Sequence, residues 1–301
     1  MTVTRELAGV VRAAFGAREL VSAERLRGGS KKGVYRLTLD DRTTSVAYVW
    51  NAGENYWPEA ATEDGDPFGH SGGVGLFAAA HAALSEAGVR VPEVILLDDA
   101  VALVEDVRGG SLETLMDQDP PRARHVLARL GEAVQTLHSC TRSARTGPLE
   151  HLVLRRALDH LAEAAARVEP IAAVERRLAE LLGERHAAVA PRGEDRLIHG
   201  ELGPDHVLVD EHDEPVLIDI EGAMFFDVEW EHVFLELRFG ADYRYFRNSE
   251  LDLDRMRFYR LAQYLSLVAG PLRLLDGDFP HRAGMLDIVD QNIARTLGQL
   301  G

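Results

Sequence analysis

The chain has 301 residues, long enough for one large domain or two lobes with separate cores. Its 46% hydrophobic and 27% charged residues are ordinary for a globular protein. A net charge of -16 argues against nucleic acid, a polyanion bound mainly through Lys and Arg, and is compatible with a cationic small molecule. The lone Cys140 excludes an internal disulfide framework and a cysteine zinc cluster. The opening residues hold no apolar core of signal-peptide length, and no stretch is apolar enough to span a bilayer. A cytoplasmic protein with no membrane partner is therefore expected; oligomeric state is not legible.

The first element expected is a helix over residues 2–15, where Leu7, Val10, Val11 and Ala14 recur at helical spacing. A turn-rich stretch, Leu26-Arg-Gly-Gly-Ser-Lys-Lys-Gly33, follows. Val34–Leu39 then alternates like a half-buried strand, Asp40-Asp41 marks a turn, and Ser45–Trp50 continues the alternation. Residues 51–73 form a long loop rich in Gly, Asp, Pro and Asn, and loops of that length are usually functional. Two of its segments, Tyr56–Pro58 and Asp66–His70, can line or cover a cleft.

Val74–Ala87 reads as a helix stopped by Gly88, and Val91–Leu97 and Val101–Asp106 read as two further strands. From Arg122 to about Val189 the texture becomes Ala, Leu and Arg at helical spacing. Two short apolar runs near Leu197 to Ile220 interrupt it, and helical pattern resumes from Val228 and from Leu253. This layout is α+β: a strand-rich N-terminal part over residues 1–106, and a mostly helical part over 107–301 carrying an inserted hairpin.

The chemistry-bearing residues concentrate in that hairpin. His199-Gly200-Glu201-Leu202 is followed by Gly203-Pro204-Asp205, then His206, then Val207-Leu208-Val209, and later Ile218-Asp219-Ile220-Glu221. In this order the string resembles the aminoglycoside phosphotransferase family, whose pattern is His-Gly-Asp-Leu, Asn or His after three variable residues, a strand, and Ile-Asp-Trp-Glu. The resemblance implies a protein-kinase-like two-lobe fold. It also implies transfer of the γ-phosphoryl group of ATP, with Mg2+, to a hydroxyl of an antibiotic-like or metabolite acceptor.

By matched position, the resemblance makes Glu201 the base and orienter of the acceptor hydroxyl, and His206 and Asp219 the metal ligands. It gives His199, Glu221, Asp227 and Glu231 supporting roles, Glu231 bracing the catalytic loop from a helix. Val104–Gly110 matches the inter-lobe connector, where Glu105 and Val107 would meet the adenine. Ser30, Lys31 and Lys32 lie in the stretch matching the loop over the nucleotide phosphates. Acceptor specificity is expected in residues 238–247 and 270–280.

Two departures stand out. The family-like fold usually grips phosphates with a basic residue on its third strand, paired to a Glu on the next helix. Here those positions fall at Tyr48 (or Trp50) and near Phe77, so both halves of the pair are gone. Lys31 or Lys32 is the available replacement, a point charge beside glycines that let backbone amides approach an anion. The second departure is Glu201 in place of Asp. The alternative consistent with both is a catalytically impaired, pseudokinase-like binding protein on the same fold.

Overall fold

The computed structural model describes residues 2–26, 28–58, 68, 73–143, 149–248 and 250–301. Helix α1 (Thr2–Phe15) is followed by strands β1 (Leu20–Arg25), β2 (Gly33–Leu39) and β3 (Thr44–Val49). A 3-10 turn (Ala52–Glu54) precedes helix α2 (Val74–Glu86), then come β4 (Val94–Leu97) and β5 (Val101–Glu105). Helices α3 (Leu112–Gln118) and α4 (Pro120–Ser139) lead to β6 (Thr141–Ser143), and α5 (Leu149–Ala165), α6 (Glu169–Ala172) and α7 (Glu175–Ala188) follow. After β7 (Glu194–Ile198), β8 (Val207–Val209), β9 (Pro215–Leu217) and β10 (Met224–Phe226), the chain ends on α8 (Val228–Phe239), α9 (Leu253–Asp276) and α10 (Arg282–Leu297).

Two compact units emerge. The first comprises Met1–Trp57, Pro67–Thr136 and Pro204–Ala223. Its centre is a five-stranded antiparallel sheet in the order β1-β2-β3-β5-β4. Leu7, Val10 and Val11 of α1 pack on Leu37, Leu39, Ala47, Val49, Val101 and Leu103, so the helical stripe and the strand alternation meet in one core. β3 is buried along almost its whole length, as suits a strand with a neighbour on each side.

The β8–β9 hairpin belongs to this unit rather than to the helices that flank it in sequence. Val207 pairs with Leu217 and Val209 with Pro215, and all four are buried. Leu217 N–H donates to the carbonyl of Arg90 (2.9 Å) and Val209 N–H to that of Gly110 (3.0 Å). Backbone pairing thus ties the hairpin to the segment before β4 and to the connector after β5.

The second unit contains Leu137–Gly203 and Met224–Gly301. A three-stranded antiparallel sheet, β10-β7-β6, accompanies α5, α7, α8 and α10, which gather around α9. Phe258, Leu261, Leu265 and Val268 of α9 are fully buried, at helical spacing. Among the described residues no helix is long and apolar enough to cross a membrane.

Three features have no counterpart in the expected elements. β1 is an edge strand with four of its six residues exposed, so its sequence shows no apolar face. β6 and β10 span three residues each, too short for alternation to register. α3 is started by Ser111, whose hydroxyl caps Thr114 N–H at 3.2 Å. Of the long loop, residues 59–67 and 69–72, including Asp66, Pro67, Gly69 and His70, lie outside the described residues.

Candidate active site

The glycine-rich turn before β2 is held in a folded form by the segment that follows β3. Gly29 has φ +74°, and a Cβ there would meet the carbonyl oxygen of Lys32 at 2.2 Å, so the turn tolerates no side chain at this point. Gly33 leaves room for the Glu54 carboxylate, which would lie 2.6 Å from a Cβ. Glu54 is buried and accepts from Arg25 (2.9 Å) and from the Tyr35 hydroxyl. The Ser30 carbonyl accepts from Tyr56 N–H (2.9 Å) and the Ser30 hydroxyl from the Trp57 indole (2.8 Å). Lys31 lies over the Trp57 ring, 5.6 Å from its centroid.

Lys32 is placed differently from its neighbour. Only 5% exposed, it donates to Asp219 Oδ1 at 2.8 Å and to Glu221 Oε1. Its ammonium lies 4.9 Å from the centroid of the Tyr48 ring. Burial alone would lower the Lys32 pKa, but the carboxylates of Asp219 and Glu221 outweigh it and hold the pKa above its ordinary value. The side chain is a cation. Tyr48, whose hydroxyl pKa burial pushes up to about 12, packs edge-on against Phe77 of α2 with ring centroids 5.4 Å apart. Aromatic packing thus occupies the two positions where the resemblance leads one to look for a lysine and a glutamate.

The hairpin delivers the acids. Ile218 N–H donates to the carbonyl of His206 (3.0 Å), which sets the two motif halves side by side. Asp219 adopts a left-handed backbone (φ 57°, ψ 44°), unusual for a residue with a side chain and a conformation that collects at functional sites. His206 Nε2 is 3.4 Å from Asp219 Oδ2 and 3.7 Å from Asp205 Oδ2. Lys32, His206, Asp219 and Glu221 are therefore gathered within the first unit. Ser30 and Lys31 are engaged with Trp57 instead, and Glu105 is held by Arg90 (2.7 Å) with its own N–H given to the Glu93 carbonyl. Val107 is a buried residue of the connector.

In the second unit, the turn after β7 carries His199, Gly200 (φ +93°) and the exposed Glu201. His199 is fully buried, and its N–H donates to Glu231 Oε2 of α8 at 2.6 Å. Glu231 is itself fully buried. Burial would raise its pKa, but the His138 ring 3.5 Å away and the His199 N–H bring it below the ordinary carboxylate value. Asp227 caps the same helix by position and is held by Arg255, the Tyr259 hydroxyl and Arg192 (3.5 Å). Glu229 takes both guanidinium nitrogens of Arg192, at 2.6 and 2.8 Å. Motif reading misses Arg192, which lies in the loop before β7, and Arg255 and Tyr259, whose sequence signal is a polar group in the apolar stripe of α9.

The model of the phosphotransferase enzyme family matches residues 23–259. The chain belongs to that family. Solved structures share the fold over nearly its full length at low identity. A choline kinase, LicA from Streptococcus pneumoniae, is 13% identical with a TM-score of 0.70, covering 100% of this chain and 99% of its own. The aminoglycoside phosphotransferase APH(4)-Ia, as a thermostable mutant, is 17% identical with a TM-score of 0.66 over 97% of this chain and 99% of its own. Spectinomycin phosphotransferase APH(9)-Ia, solved with ADP and spectinomycin, is 12% identical with a TM-score of 0.64 over 98% of each chain. No curated protein matches the chain. The fold of this family member is the protein-kinase-like α+β fold, with its antiparallel sheet N-terminal and its larger part helical.

The donors present suit the Mg2+ that the motif implies. Asp219 and Glu221 offer carboxylates and His206 an imidazole, and Glu221 Oε2 is buried with no hydrogen-bond partner among the described residues. Among the described residues no three His, Cys, Asp or Glu side chains form a ready-made metal group.

Proposed function

We propose that this protein is an ATP- and Mg2+-dependent phosphotransferase that moves a phosphoryl group to a hydroxyl of a small molecule. The observation that carries the reading is Asp219, left-handed in backbone and flanked by the His206 imidazole (3.4 Å) and the Lys32 ammonium (2.8 Å). Phosphoryl transfer asks little covalent chemistry of a protein. It asks for cations to neutralise phosphate charge and for a positioned acceptor. His206 and Asp219 would hold the Mg2+, which would supply positive charge at the phosphate oxygens. Lys32 supplies the protein's own cation to the phosphates, and Ser30 and Lys31 line the same turn. Glu105 and Val107 face the adenine from the connector. Glu201 orients the acceptor hydroxyl and receives its proton, while Glu231 fixes the loop by holding His199 N–H (2.6 Å).

The acceptor is a small molecule, and the charge of -16 is compatible with a cationic one. The pseudokinase alternative rested on the missing lysine–glutamate pair and on Glu201 in place of Asp; the Lys32 contact with the Asp-x-Glu carboxylates supplies a cation for the first, and no observation favours the alternative. Transfer of label from γ-labelled ATP to a panel of hydroxyl compounds tests the reading. Labelled product that vanishes in Glu201→Gln is the expected result; no transfer to any acceptor alongside nucleotide binding would favour the alternative. Replacing Glu201 by Asp withdraws the carboxylate by roughly 1 Å and is expected to lower turnover by about 100-fold. Full activity in that variant would mean the site is not adjusted to the longer acid.

A further inference from the structure

Lys32 poses a question that its role as a phosphate ligand does not answer. Its ammonium already has partners, and they are the carboxylates assigned to the metal. It bonds Asp219 Oδ1 at 2.8 Å and contacts Glu221 Oε1, while Asp219 Oδ2 faces His206 and Glu221 Oε2 has no hydrogen-bond partner among the described residues. One ammonium against two carboxylates leaves an excess of one negative charge. A divalent ion at these acids would reverse that excess and repel Lys32. The amine cannot serve both states from one position.

We propose that Lys32 is an exchangeable counter-ion: it neutralises Asp219 and Glu221 in the nucleotide-free protein, and yields them to the metal when the phosphates arrive to receive it. The inference rests on the phosphotransferase reading and adds the order of events at that site.

The surroundings suit an exchange. Lysine is a compact point charge on a stem of rotatable bonds, so its ammonium can change partners while the backbone stays in place. The turn that carries Lys32 is held two residues earlier, where the Ser30 carbonyl and hydroxyl accept from Tyr56 N–H (2.9 Å) and the Trp57 indole (2.8 Å). The ammonium's third neighbour is the Tyr48 ring (4.9 Å), which attracts a cation without carrying charge. A glutamate in that place would pin the ammonium; a ring lets it leave. Asp219 is the exposed member of the cluster, with 43% of its side chain accessible, so an incoming ion meets it from solvent.

The consequence is a pair of effects with opposite sign. Metal alone must evict an ammonium that has nowhere to go, so Mn2+ binds the free wild-type protein weakly and binds together with nucleotide. In Lys32→Met the acids are released. Free Mn2+, followed by electron paramagnetic resonance without nucleotide, is expected to bind about 10-fold more tightly. The metal complex of a non-hydrolysable ATP analogue, followed by calorimetry, is expected to bind at least about 10-fold more weakly. Glu221→Gln gives the mirror image, freeing Lys32: the analogue without metal binds a few-fold more tightly and free Mn2+ more weakly. A merely structural lysine would move metal and nucleotide affinity together, and parallel losses in Lys32→Met with no mirror effect in Glu221→Gln would overturn the inference alone. If wild-type protein binds no nucleotide with or without Mn2+, the phosphotransferase reading falls and the inference with it.

Discussion

Two clusters of buried charge, one in each unit, solve the same problem differently. In the second unit Asp227 and Glu229 face Arg255 and Arg192, and the guanidinium forks, the Tyr259 hydroxyl and backbone groups satisfy the acids from several sides. In the first unit Asp219 and Glu221 share Lys32, Glu221 Oε2 has no hydrogen-bond partner among the described residues, and Asp219 is half open to solvent. Planar, multiply bonded guanidinium suits a permanent joint, while a single ammonium suits a partner that is to be replaced. On the proposed reading the contrast separates acids that hold the fold from acids that receive a ligand, although both sets arise from the same motif-rich stretch.

Removing a cation from each cluster sharpens this difference. Arg255→Met leaves Asp227 buried without its main counter-charge and is expected to cost about 3–5 kcal/mol in urea unfolding. A loss under about 1 kcal/mol would mean the joint is not structural.

Acidification probes the same unit. His232 is buried beside His138 and bonds Tyr243 (2.9 Å), and burial, reinforced by His138, lowers its pKa from 6.5 to about 4. The unfolded chain therefore binds this proton more readily. The contribution to stability is complete above pH 6.5 and fades as pH falls toward 4, by about 3 kcal/mol in all. His232→Gln is expected to flatten the slope of unfolding free energy over that window, and an unchanged slope would place the sensitivity elsewhere.

Lys32→Met should be the mildest of the three. Asp219, with 43% of its side chain exposed, recovers hydration when the ammonium is lost, so a cost of at most about 2 kcal/mol is expected. A cost equal to that of Arg255→Met would erase the distinction between the clusters.

Much of this was legible in the sequence where local pattern and local structure coincide. The strands β2, β3 and β5 alternate or run apolar as their burial requires, and the acids and His206 sit on a hairpin of adjacent short runs. Where structure depends on distant partners, the sequence is silent. Lys31 and Lys32 are equivalent by position, yet one stacks on Trp57 and the other reaches acids 187 residues away. The same distance effect hides Arg255, whose acid partner lies 28 residues earlier, and the edge strand β1, which has no apolar face to announce it. Tyr48 reads as the loss of a lysine; only the structure places its ring under the Lys32 ammonium.

The most direct test of the account is the thermal unfolding of the wild-type protein with millimolar ATP, with and without Mg2+, beside Asp219→Ala. A ligand bound only by the folded state stabilises it by about 2.7 kcal/mol at 100 times its dissociation constant. The account expects a Mg2+-dependent rise in Tm for the wild type that disappears in Asp219→Ala. An unchanged Tm in the wild type under both conditions, or an equal rise in the variant, would contradict a metal–phosphate site built on Asp219.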